Sequence, residues 1–346
     1  MKGQAVALEI RRDVDLTPYN TFGMRVRAAY FTELCAKDDL PALLASEPFR
    51  RGPVLWLGGG SNLLFTQDYP GLVIRMALQG VRILEDDGET VCVEAAAGEN
   101  WHGFVSHTLS QGWAGLENLS LIPGTVGASP IQNIGAYGVE VQDCIESVLC
   151  MDTASGRETV LSRADCHFGY RDSVFKHEGR DRLVVLAVRF RLARHAPLRI
   201  GYGDIRAALA EAGVEAQPSA ADVSRAVIRI RQSKLPDPAV LGNAGSFFKN
   251  PVVSSEQAEA LLVRHPDLPH YPAGPGRIKL AAGWLIDRAG LKGYREGDAG
   301  VHDRQALVLV NHGQASGKEM WQLAQKVQAT VETRYGVRLE PEPIVL

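Results

Sequence analysis

One stretch constrains this chain more than any other: residues 115–140, GLENLSLIPGTVGASPIQNIGAYGVE. It is dense in Gly, Ser, Pro and Asn, which argues against a long helix or an unbroken strand. Its Ile, Leu and Val content is too high for a disordered segment, which could not bury them. The segment therefore reads as a long, ordered, irregular loop, and such loops inside folded domains usually serve function. The 35 glycines of the 346-residue chain gather in a few short runs. They mark tight turns and close backbone approaches rather than a flexible linker.

A second glycine run comes earlier. Residues 54–57 (VLWL) read as a buried strand that runs into Gly58, Gly59, Gly60, Ser61 and Asn62, with an apolar run in residues 63–65 behind it. Consecutive glycines expose backbone N–H groups and let a ligand approach closely, and the Ser and Asn side chains add donors; such a nest suits a pyrophosphate. A plain Gly-rich turn would read the same. The run is neither GxGxxG opening a helix nor GxxxxGK[ST], so a Rossmann site and a P-loop are both disfavoured. The long loop repeats the logic with Gly124, Thr125, Gly127, Ala128 and Ser129, while Gln132 and Asn133 offer amides to the edge of a heteroaromatic ring. A loop packed only on itself is the alternative. Two phosphate-friendly loops about 65 residues apart fit one extended dinucleotide better than two unrelated sites.

The spacing around these loops predicts a strand over 72–76, a hairpin over 81–95 turning at Asp86-Asp87-Gly88, and a helix over 100–110 ending before Gly112. Strands follow around a turn at Ser155-Gly156, with another at 182–192. Near residue 200 helical periodicity takes over, in 204–212 and in 219–232, where Ser219 can cap. Ser254 with Gln257, and Ser316 with Glu319, have capping-box spacing. Met320, Leu323, Ala324, Val327 and Val331 recur at the spacing of one buried helical face. A strand-rich half and a mixed half should divide near 200–215. At this length two or three domains are expected.

Composition excludes several classes. A formal charge of −3 gives no basic footprint for nucleic acid. No stretch approaches the roughly 20 apolar residues of a membrane helix, and the N-terminus has no apolar core for export. The cysteines, Cys35, Cys92, Cys144, Cys150 and Cys166, are odd in number and lack CxxC spacing. They read as reduced thiols of a cytosolic protein. The histidines show no ligand spacing, so no metal is expected.

Three further segments carry candidate chemistry. In FGYRDSVFK, residues 168–176, Arg171 sits among aromatics and could pair with a carboxylate or polarise a carbonyl oxygen; a surface loop with a structural arginine is the alternative. In GNAGSFFKNP, residues 242–251, small residues precede Ser246 and two phenylalanines. A serine so held could give or take a proton, and no nucleophile elbow or Ser-His-Asp order accompanies it; a tight turn before a core Phe pair is the alternative. In LEPEP, residues 339–343, Glu342 is held between prolines, and a positioned carboxylate can do acid–base work. By local sequence alone this is a solvated acidic tail.

Together, GGGSNLL, GLENLSLIPGTVGASPIQNIGAYG, FGYRDSVFK, GNAGSFFKNPVV, KLAAGWLID, and RQALVLVN followed by LEPE resemble the UDP-N-acetylenolpyruvoylglucosamine reductase (UDP-N-acetylmuramate dehydrogenase) family, in its longer subtype. The matches run in order from about residue 19 to 342. The resemblance implies an α+β fold: an FAD-binding module of the vanillyl-alcohol-oxidase/PCMH type over 1–200, made of two α+β subdomains split near 70–80. A C-terminal α+β substrate-binding domain would follow over 201–346, its extreme C-terminus returning to the active site. FAD would lie on Gly58, Gly59, Gly60, Ser61, Asn62, Gly124, Thr125, Gly127, Ala128, Ser129, Gln132, Asn133, Gly135 and Gly138. Neither Gly-rich loop contains a histidine, so the flavin is expected to be non-covalent. Arg171, Ser246 and Glu342 match the catalytic residues. Tyr170, Tyr202, Lys234, Asn250, Lys279 and Gln305 match positions at the UDP-sugar.

The implied reaction passes hydride from NADPH by way of FAD to the enolpyruvyl methylene carbon. Arg171 and Glu342 would stabilise the resulting enolate, and Ser246 would protonate the α-carbon. The expected partners are the UDP-sugar and NADPH, with no nucleic acid and no membrane, in a cytoplasmic monomer. Two rivals are an FAD-dependent alcohol or sugar oxidase on the same module, which needs no Ser246 or Glu342, and a non-catalytic nucleotide-sugar-binding protein. The joint presence of Arg171, Ser246 and Glu342 argues against the second.

Overall fold

A computed structural model describes residues 8–346. Two sheets organise the first part of the chain. One has four strands in the order Arg11–Asp15, Arg27–Leu34, Tyr69–Met76, Val54–Leu57, the last two parallel with Val54 opposite Leu72. The chain leaves this sheet at Met76 and enters the next at Val81. The second sheet has five antiparallel strands in the order Arg157–Ser162, Ile145–Asp152, Leu183–Ala193, Thr90–Ala96, Val81–Asp86. Residues 91–95 and 184–188 of its central strands are mostly Val, Leu and Ala buried on both faces, which is why they read as continuous apolar segments. Glu94 interrupts the run in Thr90–Ala96. Its carboxylate is taken up by Arg82 and Arg189 at 2.7 and 2.8 Å.

The helix Trp101–Ser110 starts where Asn100 accepts the Gly103 N–H at 2.8 Å. It packs Trp101 and Phe104 against Phe190 of the central strand, with ring centroids 6.1 and 5.0 Å apart. These side chains sit in one core that also takes in Val126, Val139 and Val141 of the long loop. Burial of such residues, worth roughly 25 cal/mol per Å² of apolar surface, holds an irregular backbone in place.

The chain forms two units, and the later boundary between them falls between Ser233 and Lys234, beyond the 200–215 where the composition shifts. The first holds residues up to Val14, Ala28–Gly59 and Pro70–Ser233; the second holds Asp15–Arg27, Gly60–Tyr69 and Lys234–Leu346. The helices Ile205–Glu211 and Ala220–Lys234 thus fall largely in the first unit. Ile205, Leu209, Val223, Val227 and Ile230 make a small core covered by Tyr137, Leu198 and Ile200, and the Ser224 and Ser120 hydroxyls meet at 2.7 Å.

In the second unit an antiparallel sheet orders Gly242–Ser246, Val308–Asn311, Ala299–Val301 and Arg295–Glu296. A smaller one orders Val252–Ser254, Arg277–Leu280 and His270–Pro272. The early segment 15–27 belongs here because Thr21 and Phe22 carbonyls accept from Asn243 N–H (3.0 Å) and Asn311 Nδ2 (3.1 Å), and Phe22 packs edge-on to Phe247. The helix Gly317–Tyr335 opens on the full capping box expected of Ser316 and Glu319, and closes on Gly336 with a left-handed φ of 68°. At Ser255–Arg264 the box is only half formed. Ser254 accepts the Gln257 N–H at 3.1 Å, but the Gln257 side chain donates to the Gly336 carbonyl instead, because that carbonyl lies within reach at 2.9 Å.

Candidate functional site

In the first unit the two glycine loops meet. A Cβ added at Gly59 would stand 2.8 Å from Gly124 Cα, and one at Gly58 would stand 2.8 Å from Thr125 Oγ1. Only glycine allows the strand Val54–Leu57 to run into the long loop this closely. The Thr125 hydroxyl is buried there and makes no hydrogen bond among the described residues. A buried hydroxyl without a partner is costly, and a bound phosphate or ribose oxygen is the kind of group that would satisfy it. The residues present thus fit a dinucleotide such as FAD.

The rest of the long loop is held by its own polar groups. Ser129 donates to the Val126 carbonyl at 2.7 Å. Asn133 departs from the sequence expectation that its amide meets a flavin edge. It is fully buried, its two N–H groups go to Glu140 (2.8 Å) and the Gly169 carbonyl (3.0 Å), and its Oδ1 accepts from Gln142 N–H (3.1 Å). With both donors spent inside the protein, it shapes the loop instead. Gly135 and Gly138 lie on the short hairpin Gly135–Ala136 with Val139–Glu140, and Gln132 lies in the turn before it.

Arg171 is fixed against that hairpin. Its Nη2 donates to the Gly135 carbonyl at 2.9 Å, its guanidinium lies 5.4 Å from the Tyr170 ring centre, and its carbonyl accepts from Lys176 Nζ at 2.9 Å. Its φ is +54°, a sparsely populated region for a side-chain-bearing residue and a frequent mark of a functional turn. Tyr202 is 49% exposed and meets Tyr137 edge-on at 6.4 Å, with Gly138 beneath it. Lys234 ends the helix Ala220–Lys234 and is exposed.

Sequence reasoning missed Arg231 in that helix. Its Nε is buried with no hydrogen bond among the described residues, burial lowers its pKa, and the Tyr137 side chain opposes the shift. It also helps to hold His102 below its ordinary value, behind the larger effect of burial. An arginine beside Val227 and Ile230, on the apolar side of an amphipathic helix, was the available signal.

The second unit gathers the remaining candidates. Ser246 ends the strand Gly242–Ser246 opposite Val308 and is half-buried. Glu342 N–H donates to the neighbouring Phe247 carbonyl at 2.8 Å, Lys249 N–H donates to the Glu340 carbonyl at 2.9 Å, and Phe248 bridges Pro341. The 339–343 segment is therefore a strand-like neighbour of the Ser246 segment and not a solvated tail. Asn62 Nδ2 donates to the Glu342 carbonyl at 3.3 Å, and Ile344–Val345 pairs in parallel with Leu63–Leu64. Gly60 and Ser61 sit in the same loop; the Gly60 carbonyl accepts the Thr21 N–H at 3.1 Å.

Asn250, Lys279 and Gln305 lie around the start of the helix Ala282–Arg288. Asn250 Oδ1 accepts the Ala282 N–H at 3.0 Å, Lys279 precedes that helix in the strand Arg277–Leu280, and Gln305 Oε1 lies 3.3 Å from the position of a Gly283 Cβ. Among the described residues no group of three or more His, Cys, Asp or Glu could hold a metal ion, and no helix is long and apolar enough to cross a membrane.

Two known domain families match parts of this chain. The C-terminal domain of UDP-N-acetylenolpyruvoylglucosamine reductase matches residues 237–346, and an FAD binding domain matches residues 32–162. A solved UDP-N-acetylenolpyruvylglucosamine reductase from Thermus caldophilus superposes with a TM-score of 0.67 at 26% identity, covering 98% of this chain and 99% of that one. The fold is accordingly the α+β one of that reductase. The UDP-N-acetylenolpyruvoylglucosamine reductase of Neisseria meningitidis serogroup B is 56% identical over 96% of each chain. That of Chromobacterium violaceum is 68% identical, covering 99% of this chain and 100% of its own. With such identity sustained over both units, this chain belongs to the UDP-N-acetylenolpyruvoylglucosamine reductase family.

Proposed function

We propose that this chain uses NADPH and non-covalent FAD to reduce the enolpyruvyl ether of UDP-N-acetyl-3-O-(1-carboxyvinyl)-glucosamine to UDP-N-acetylmuramate. The reaction serves the synthesis of peptidoglycan precursors. The single observation that carries this is the 68% identity to a reductase of that name over the full length of both chains. FAD, when bound, supplies a two-electron relay between NADPH and the substrate double bond.

The chain's own residues then do three things. Gly58, Gly59, Gly60, Ser61 and Asn62, with Gly124, Thr125, Gly127, Ala128, Ser129, Gln132, Gly135 and Gly138, hold the dinucleotide. The buried Thr125 hydroxyl and the backbone N–H groups of the glycine turns are the support for this. Tyr170, Tyr202, Lys234, Asn250, Lys279 and Gln305 bind the UDP-sugar; Lys234 and Lys279 bring the positive charge that a diphosphate needs.

Arg171, Ser246 and Glu342 carry the chemistry. Reduction at the methylene carbon leaves an electron pair on the neighbouring carbon, spread onto its carboxylate. A guanidinium already fixed by the Gly135 carbonyl pairs with that carboxylate without having to reorganise. The Ser246 hydroxyl has a proton to give to the α-carbon. Glu342 steadies the same charge in its protonated form or through water.

The deciding experiment follows NADPH oxidation by the purified yellow protein with and without the enolpyruvyl UDP-sugar. Substrate-dependent oxidation with formation of UDP-N-acetylmuramate is expected. Flavin bleaching by NADPH with no reoxidation by the UDP-sugar would overturn the reading, and rapid reoxidation by O₂ alone after an alcohol or sugar donor would favour an oxidase. The reading includes a monomer in the cytoplasm, which light scattering and fractionation test.

A further inference from the structure

The strands Ala299–Val301 and Val308–Asn311 are joined by residues 302–307, a connection closed by His302 N–H to the Val308 carbonyl at 2.9 Å. His302 is only 6% exposed. Its Nδ1 faces two backbone donors, the N–H groups of Arg304 at 3.4 Å and Gln305 at 3.2 Å. Its Nε2 lies 3.5 Å from the Asp303 carboxylate. Gln305 is held on its other side as well, since its carbonyl accepts the Val308 N–H at 3.0 Å and its Oε1 accepts the Leu307 N–H at 3.4 Å. That Oε1 lies over Gly283, next to the Ala282 N–H that Asn250 holds.

We propose that His302 is the positioning residue for Gln305: its unprotonated Nδ1 grips the Arg304 and Gln305 N–H groups and so sets the turn that presents Gln305 to the UDP-sugar. The proposal rests on the reading of Gln305 as a substrate contact. An imidazole with Nδ1 as acceptor carries its proton on Nε2, toward Asp303. An imidazolium has N–H on both nitrogens, so Nδ1 would then point a donor at two donors and the turn would open. Burial opposes that protonation most, Asp303 favours it, and Arg304 and His312 oppose it. The folded-state pKa of His302 thus lies below its ordinary 6.5. The turn is intact above that value and is lost as pH falls through it, and affinity for the UDP-sugar falls with it.

The test measures KM and kcat for the enolpyruvyl UDP-sugar across pH, with thermal unfolding as a check on folding, for wild type, Gln305→Ala, His302→Asn and His302→Gln. Asparagine places Oδ1 close to where Nδ1 was and does not titrate; glutamine carries its acceptor one bond further out. Gln305→Ala is expected to raise KM about tenfold, the worth of one good hydrogen bond. His302→Gln should raise KM by about the same factor with kcat changed less than about twofold. His302→Asn should keep KM near wild type at neutral pH and abolish its rise in acid.

Wild-type KM in His302→Gln, beside a raised KM in Gln305→Ala, overturns the role of His302. So does an acid rise of KM that persists in His302→Asn, and this arm decides the matter if His302→Gln does not fold. An unchanged KM in Gln305→Ala overturns the substrate-contact reading itself.

Discussion

The Ser246 hydroxyl stands half-buried at the end of its strand. If it is the proton donor, Ser246→Ala should leave flavin bleaching by NADPH near the wild-type rate and slow reoxidation by the enolpyruvyl UDP-sugar by about 10² or more. Anaerobic stopped flow separates the two phases; wild-type reoxidation would reduce Ser246 to a turn residue, and loss of both phases would point to a displaced flavin. Gly59 makes a different demand. An added Cβ would press on Gly124 Cα, which is backbone and cannot swing aside. Gly59→Ala should therefore purify with much less than one FAD per chain, read from its absorbance at about 450 nm, and the deficit tests whether the two glycine loops share one ligand. The sequence exposes these positions because glycines and a lone serine between anchors are unusual. It conceals Arg231 and the internal role of Asn133, since nothing local says which way an arginine on a helix or an amide in a loop will turn.

Among the elements, the hairpin over 81–95, the strand over 182–192 and the capped helix from Ser316 follow from period and punctuation, and the structure has them at Val81–Asp86 with Thr90–Ala96, at Leu183–Ala193 and at Gly317–Tyr335. The half-formed box at Ser254 shows the limit, because the partner that Gln257 prefers, the Gly336 carbonyl, comes from 79 residues away. The start of the helix Gly317–Tyr335 carries a sharper constraint than its cap. A Cβ on Gly317 would fall 1.7 Å from the Phe65 carbonyl oxygen, and Thr66 next to it binds the Leu346 carbonyl through both N–H and Oγ1, at 2.7 and 2.6 Å. Gly317→Ala should destabilise the protein by about 2 kcal/mol or more in urea unfolding, although alanine is the better helix former. Ser316→Ala, which removes only the cap, should cost about 1 kcal/mol. Equal costs would show that the helix start can shift.

For the whole molecule, acid stability and thiol reactivity read out burial. Burial alone would raise the Glu94 carboxyl, but hydrogen bonds and charge from Arg189 and Arg82 hold it below its ordinary 4.5. A depressed folded-state pKa stabilises the native protein fully above about pH 4.5 and loses that contribution as pH falls through the folded value. Arg82 is largely exposed, so the contribution is about 1 kcal/mol rather than that of a fully buried pair. Glu94→Gln should lower stability at neutral pH and flatten its decline between about pH 5 and 3, followed by urea unfolding. Burial pushes the thiols of Cys144, Cys150 and Cys166 up to about 12 and raises that of Cys92, while Cys35 is exposed. A disulfide-exchange reagent at pH 8 should therefore find one fast thiol in the native protein and five in denaturant.

By itself the sequence determined the local: where the backbone must be glycine, which helices are capped and which apolar runs are strands. These are properties of neighbouring residues, and a short window contains their causes. Tertiary structure alone decided that 15–27 and 60–69 belong with the C-terminal unit, and that 201–233 belongs with the first. It also turned the acidic tail into a strand-like neighbour of Ser246. The reason is that these outcomes depend on backbone carbonyls and buried faces hundreds of residues apart in sequence. Such groups are the same in every peptide unit and leave no trace in composition until folding brings a particular pair together.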